Sequence, residues 1–413
     1  MPENWKKYRL GDLIEVNKNS IRKGALDWIN YIDIKSVGTG FYEEPKRMNF
    51  EDAPSRARRL LKEGDTVISS VRPNLKSYFY SQNLKENSIA STGFAVLTPK
   101  NIDKRFLYYL TTNDNYINYL VQSCTGSAYP AFGPQVLLDS EVLIPESIQE
   151  QKSISSILSA LDDKIELNLQ MNKNLEEMAM ALYKHWFVDF GPFQDGEFVA
   201  SDLGDIPKGW KVRSIYSIAN FINGAAFKPK DFIENRQEGL PVIKIAEIKQ
   251  GITSQTKYSN KSLDKKYTIS NGDILFPWSG NPHTSLGIHI WDKGDALLNQ
   301  HIFVVRMEDI NQKCFAFNLL KYQLPTFINL ATHKQTTGLG HITVTNLKEL
   351  YIPYPNIEAI EKYNKEALPI FNLLYHNQLE NISLTQLRDT LLPKLISGEV
   401  RVKDAEKTLS EVL

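Results

Sequence analysis

Arginine, asparagine and lysine cluster twice in the first quarter of this 413-residue chain. Arg56, Arg58 and Arg59 lie in Ser55-Arg56-Ala57-Arg58-Arg59-Leu60, and Lys76 closely follows Arg72-Pro73-Asn74. Arginine donates two hydrogen bonds to guanine in a major groove or clamps a phosphate, and asparagine pairs with adenine. The chemistry they suit is reading a nucleic acid; an ordinary solvated loop has the same composition. A second pair of segments is Thr125–Phe132 and Gln335–Ile342, both polar and glycine-containing. Their hydroxyls and amides suit close approach to phosphate, and Tyr129 or His341 can reach a base edge. A turn required only by the fold is the alternative.

Other chemistries find little support. There is no Gly-x-x-x-x-Gly-Lys-Ser/Thr phosphate loop. Ser279-Gly280-Asn281-Pro282-His283 has part of the Asn/Asp-Pro-Pro-aromatic pattern of adenine methyltransferases, without the second proline, the aromatic or a glycine-rich cofactor strand. His283, His289 and His301 have no metal-ligand spacing, and Cys124 and Cys314 are too distant in sequence to join them in a motif. No metal and no cofactor are expected on this chain. Two cysteines do not make a disulfide framework and suit a cytoplasmic setting, as small apolar side chains. No run of eighteen apolar residues and no signal-peptide pattern occurs, so no membrane association is expected.

The elements that must position these residues come in two copies about 208 residues apart. Trp5 and Leu10 recur as Trp210 and Ile215, Gly64-Asp65 as Gly272-Asp273, and Ile144-Pro145 as Ile352-Pro353. Ser88–Leu97 is shadowed by Ala296–Val305. Each copy has short apolar runs after turn residues, which predict strands, and a helical stretch, Phe106 to Gln122 or Phe315 to Leu330. The expected fold is mixed α/β, with two pseudo-repeated globular domains. In the second copy, Trp278 and Asn281 follow Gly272-Asp273 as Arg72 follows Gly64-Asp65. Different side chains at an equivalent place suit two heads that read different sequences. Net charge alternates along the chain: +3 over 1–145, −6 over 146–199, +5 over 200–353 and −2 over 354–413. Binding a polyanion needs a locally positive surface rather than a positive total.

After each copy comes a heptad seam. The first runs Ile154, Leu158, Leu161, Ile165, Asn168, Asn172, Leu175, Ala179, Leu182, Trp186; an offset of 209 gives Tyr363, Ala367, Ile370, Leu374, Asn377, Asn381, Leu384, Arg388, Leu391, Leu395. Alternating steps of 4 and 3 predict two long helices packed as a coiled coil. Asparagines at the same two seam positions cost stability and fix register. An antiparallel pairing is favoured, with the asparagines meeting near mid-length. Leu161, Ile165, Asn168, Asn172 and Leu175 are expected to pair with Ile370, Leu374, Asn377, Asn381 and Leu384. Pro369 is expected to kink the second helix or mark its start. Trp186 and Phe187 suit either a core or a docking surface.

Gln151–Phe193, "QKSISSILSALDDKIELNLQMNKNLEEMAMALYKHWFVDFGPF", resembles the central conserved region of the DNA-specificity subunit of type I restriction-modification enzymes. "LRDTLLPKLISGEVRV" (Leu387–Val402) resembles that family's C-terminal conserved region, and "IPKGW" (Ile206–Trp210) the opening of its second recognition domain. The resemblance implies target-recognition domains over 1–148 and 194–355, with spacer helices over 149–193 and 356–413. It implies that each domain reads half of a split double-stranded DNA site. The helices would set the gap and dock two modification subunits bearing S-adenosylmethionine and adenine-N6 methyltransferase chemistry. Restriction subunits, ATP-dependent nucleases and translocases that use ATP and Mg, would join that assembly, and this chain would be non-catalytic. The loops carrying Ser127, Tyr129, Thr337 and His341 are DNA contacts by the same resemblance. The alternative is a self-contained DNA adenine methyltransferase with a recognition domain.

Overall fold

A computed structural model describes residues 4–22, 24–126, 129–333 and 340–412. The chain divides into two compact units. Unit 1 holds residues 1–166 and 382–413, and unit 2 holds 167–381. Each unit thus combines one lobe with part of both long helices, so the divisions fall within the helices.

In unit 1 the lobe has two four-stranded sheets. The first runs Ile14–Val16, Phe94–Pro99, Thr66–Ser69, Tyr78–Tyr80, antiparallel throughout. The second runs Lys46–Asn49, Trp28–Ile32, Ser88–Ser91, Ala57–Leu60, with a parallel pair at its centre. Trp5–Arg9 pairs with Glu141–Pro145 and ties the start of the lobe to its end. Alternation along the strands explains the layering, since successive side chains point to opposite faces. Ile68, Ala95 and Leu97 pack with Phe106, Leu120, Leu158 and Leu161. Val67, Phe94 and Val96 pack with Ile32, Phe79 and Ala90 of the intersheet layer. A sheet covered on both faces reads in sequence as an unbroken apolar run.

Unit 2 repeats this plan on its own. Asn220–Asn223, Ile302–Arg306, Ile274–Pro277 and His289–Ile290 form one sheet; Tyr258–Ser259, Leu240–Ile243, Ala296–Leu298 and Thr268–Ile269 form the other, again with a parallel central pair. Phe276, Phe303 and Val305 face one core, while Leu275, Ile302 and Val304 face the other. The repeated Gly-Asp turns are built alike. Gly64 and Gly272 have φ of +92° and +90°. Asp65 accepts from Lys62 N at 2.8 Å, and Asp273 from Ser270 N at 3.1 Å.

Each expected single helix is two helices. Asn113 ends Lys104–Thr112, and its side chain accepts from Tyr116 N to cap Asp114–Gln122. Gln323 separates Lys313–Tyr322 from Leu324–His333. Trp186 and Phe187 are core residues of unit 2, with the Phe187 ring 4.9 Å from Phe315 and 4.7 Å from Tyr363.

The long helices are Ile148–Phe187 and Ile357–Ser397. Their buried stripe is the heptad seam: Leu161, Asn168, Leu175, Leu374, Asn377 and Leu384 are buried, and Ile165, Asn172, Ile370 and Asn381 half-buried. Numbers ascend on one helix as they descend on the other. Asp162 meets Arg388 in unit 1; Asn168 meets Asn381 and Asn172 meets Asn377 in unit 2. The pairing is antiparallel. Pro369 does not mark the helix start, because the helix is continuous from Ile357. Pro369 is exposed, so the helix hydrogen bond that it cannot make is lost on the solvent side. No helix among the described residues is long and apolar enough to cross a membrane.

Candidate nucleic-acid interface

Four segments of lobe 1, far apart in sequence, are stitched into one row that forms an edge of the lobe at the strand ends. Thr92 N donates to Arg56 O at 2.7 Å, Ser70 N to Gly93 O at 2.9 Å, Phe132 N to Ser70 O at 3.0 Å, and Arg72 N to Pro130 O at 2.8 Å. The loops around Arg72 and around Tyr129 are therefore neighbours. The Arg72 guanidinium lies 4.7 Å from the centre of the Tyr129 ring, within cation–π range. Lys76 Nζ pairs with Asp114 at 2.6 Å, and Asn74 is exposed between Arg72 and Lys76 in the loop.

The Arg56–Arg59 cluster does not form one basic face. Arg56 is exposed, hydrogen-bonded to Tyr31 Oη at 3.1 Å and paired with Asp33 at 2.6 Å, and these partners raise its pKa. Arg58 and Arg59 belong to the strand Ala57–Leu60 and are half-buried. Arg58 Nε donates to Ser55 O at 2.9 Å, and Arg59 Nη1 to Ser20 Oγ at 2.5 Å. Burial lowers the Arg59 pKa. Of the three, Arg56 alone is exposed to solvent.

Lobe 2 repeats the stitching with other side chains. Trp278 N donates to His301 O at 3.2 Å, and Ile342 N to Trp278 O at 2.8 Å. Ser279 pairs with His341, and Gly280 with Gly340. These are the same bonds as Ser70 to Gly93 and Phe132 to Ser70, displaced by the repeat. Trp278 Nε1 donates to Asn223 Oδ1 at 2.9 Å, and its ring centre is 5.7 Å from that of His301. Asn281 Oδ1 accepts from His283 N and Thr284 N, capping the short helix Pro282–Ser285. Its carbonyl is thus engaged locally. Ser127 and Thr337 lie outside the described residues.

His301, Gln300 and Asn223 join this edge, although residue type and spacing alone do not point to them. His301 stands where lobe 1 has Gly93, inside the shadowed segment Ala296–Val305. That place in the repeat is the signal the sequence carries. Among the described residues no group of three His, Cys, Asp or Glu is placed to hold a metal. Cys124 and Cys314 are both free; burial pushes the Cys314 thiol up to about 12.

Comparison with known proteins gives one result throughout. The family model described as the type I restriction modification DNA specificity domain matches residues 2–177 and 207–387. The chain is 27% identical over 422 residues to the type I restriction enzyme MjaIX specificity subunit of Methanocaldococcus jannaschii, covering 98% of this chain and 95% of that one. It is 25% identical over 476 residues to the HindI specificity subunit of Haemophilus influenzae, covering 96% and 100%. The crystal structure of a type I restriction-modification S subunit from M. genitalium shares the fold, with a TM-score of 0.56, 15% identity, and coverage of 95% and 96%. The family model spans both lobes and most of both long helices, and the chain belongs to the type I restriction-modification DNA specificity family.

Proposed function

We propose that lobe 1 (1–148) and lobe 2 (194–355) each read one half of a bipartite DNA target, and that the long helices fix the gap and dock two modification subunits. The chain is the sequence-specific, non-catalytic subunit of a type I restriction-modification complex. Methyl transfer belongs to the modification subunits, and ATP-driven cleavage to restriction subunits where these join. One observation carries this reading: the same hydrogen-bonded edge is built twice, with Arg72 and Tyr129 on one copy and Trp278, His301 and His341 on the other. A shared scaffold with unlike side chains is what two heads with different base preferences require.

The test is a lobe exchange. Residues 1–148 are replaced with the first recognition domain of another specificity subunit, and methylated adenines are mapped across the host genome. One half of the motif should change while the other half and the gap persist. A change in both halves overturns the lobe assignment. Removing one heptad from each long helix shortens the pair by about 10 Å at ~1.5 Å per residue. The gap should shrink by about three base pairs at ~34 Å per turn; an unchanged gap refutes the helices as its ruler.

A further inference from the structure

The loop Arg72–Lys76 is a turn held in an uncommon backbone conformation at both ends. Arg72 has φ 50°, ψ 57°, and Lys76 has φ 52°, ψ 40°. Left-handed conformations are unfavourable for long side chains and persist only where the surroundings impose them. Here Pro73 is buried beneath the turn, Leu75 N donates to Arg72 O at 2.9 Å, and Thr39 Oγ1 donates to Lys76 O at 3.1 Å. The turn projects Leu75, which is 62% exposed. Tyr129, on the adjoining loop, is 71% exposed, and these are the two most exposed large apolar side chains among the described residues of unit 1.

A leucine on a projecting turn beside the Arg72 cation is poorly explained by packing, since most of its surface is in solvent. It is also a poor base reader, having no hydrogen-bonding group. It has what a wedge needs: apolar bulk, an unyielding base, and nearby positive charge to hold the backbone of a deformed duplex. Resting on the reading of lobe 1 as a DNA-binding head, we propose that Leu75 enters between two base pairs of the lobe 1 half-site and unstacks them, with Arg72 and Tyr129 seated against the adjoining strand. The lobe 1 head would then read deformability as well as base edges. The repeat places His283 where lobe 1 has Leu75, so lobe 2 lacks this wedge and its half-site serves as an internal control.

The experiment uses this chain assembled with its modification subunits and duplexes of the mapped motif carrying 2-aminopurine at successive positions, without S-adenosylmethionine. Fluorescence should rise at one step of the lobe 1 half-site, away from the adenine that becomes methylated, and at no such step of the other half. Leu75→Asn should abolish the rise and weaken binding about tenfold, the scale of one lost stacking contact. Leu75→Met should keep both. A rise that survives Leu75→Asn, or no rise in the unaltered complex, overturns the wedge. So does a loss of affinity on replacing thymine with uracil without any rise, which marks Leu75 as a methyl contact. In each of these cases the lobe exchange still alters one half-site. Failure of that exchange instead condemns the DNA reading itself.

Discussion

Asn168 donates from Nδ2 to Asn381 Oδ1 across 2.9 Å. A few residues along, Asn377 Nδ2 donates to Asn172 Oδ1, also at 2.9 Å. The repeat offset converts 168 into 377 and 172 into 381, so each pair is the other with its helices exchanged. Had the helices run parallel in register, Asn168 would face Asn377 instead. The asparagines therefore encode both the direction and the register of the pair, because any slip leaves buried amides without partners.

Asn168→Leu should accordingly destabilise the protein by about 1–3 kcal/mol, since Asn381 and the Glu380 carboxylate, which accepts from Asn168 Nδ2 at 2.6 Å, both lose a donor. Asn381→Leu should cost a similar amount. The double variant should cost less than the sum, because it removes both members of the amide pair together and leaves only the Glu380 carboxylate short of the Asn168 donor. Urea unfolding of the four proteins measures the coupling. Strictly additive losses would show that the amides act independently.

The seam is not symmetric at every step. Arg388 holds a leucine-phase position and meets Asp162 at 2.8 Å, while Tyr109 Oη donates to the other Asp162 oxygen at 2.7 Å. The corresponding residues in the other half are Ala179 and Phe371. Burial opposes the Arg388 charge, but Asp162 and Asp389 outweigh it and raise its pKa. Arg388→Ala should cost about 1–2 kcal/mol, partly from leaving Asp162 in a half-buried site without its cation. Adding Asp162→Asn should recover part of that loss, since the amide keeps the Tyr109 bond without a charge. Thermal unfolding in low salt reads both effects, and no recovery in the double variant would refute the charge argument.

Much of this is legible in sequence. The seam is, because a seven-residue apolar repeat of that length arises in little else than paired helices. The central strands are, because both their faces are covered and Thr66-Val67-Ile68 and Phe94–Leu97 read as short strand-forming runs. The breaks at Asn113 and Gln323 are not: apolar spacing continues across them, and only Asn113 is a good capping residue. Pro369 misleads as a helix start because its cost depends on which face it occupies, and heptad phase places it just off the seam. Arg58 and Arg59 look like one cluster with Arg56, yet pairing in a strand, with a register shift between Ala57 and Arg59, sets them apart. His301 is legible only as a place in the repeat, because its role comes from a neighbour, Trp278, that the fold supplies.

His289 gives unit 2 a pH dependence. Burial, and then Lys321, Lys249 and Lys293, lower its pKa from 6.5 to about 4. The folded state keeps the ring neutral while the unfolded chain takes up a proton below about 6.5, so the contribution is full above that pH and lost as pH falls toward 4. Between pH 7 and 5 the loss should be about 2 kcal/mol at ~1.4 kcal/mol per unit. His289→Gln should remove this slope and leave the rest of the acid response intact. Equal slopes for the two proteins in urea unfolding at pH 7 and 5 would show that the ring is not held neutral.

The two heads predict separable losses of specificity. Arg72→Ala removes a cation and its Tyr129 partner contact from lobe 1, and should relax base preference in one half of the methylated motif only. Trp278→Ala should relax the other half, through loss of the ring that Asn223 holds beside His301. If Arg72 donates twice to a guanine, discrimination at that position should fall by about 1–3 kcal/mol. If it holds only phosphate, binding should weaken for all sequences alike and become less salt-sensitive. Genome-wide maps of adenine methylation, combined with binding measured across salt concentrations, separate these outcomes. Relaxation of the same half by both variants would contradict the assignment of one head to each half-site.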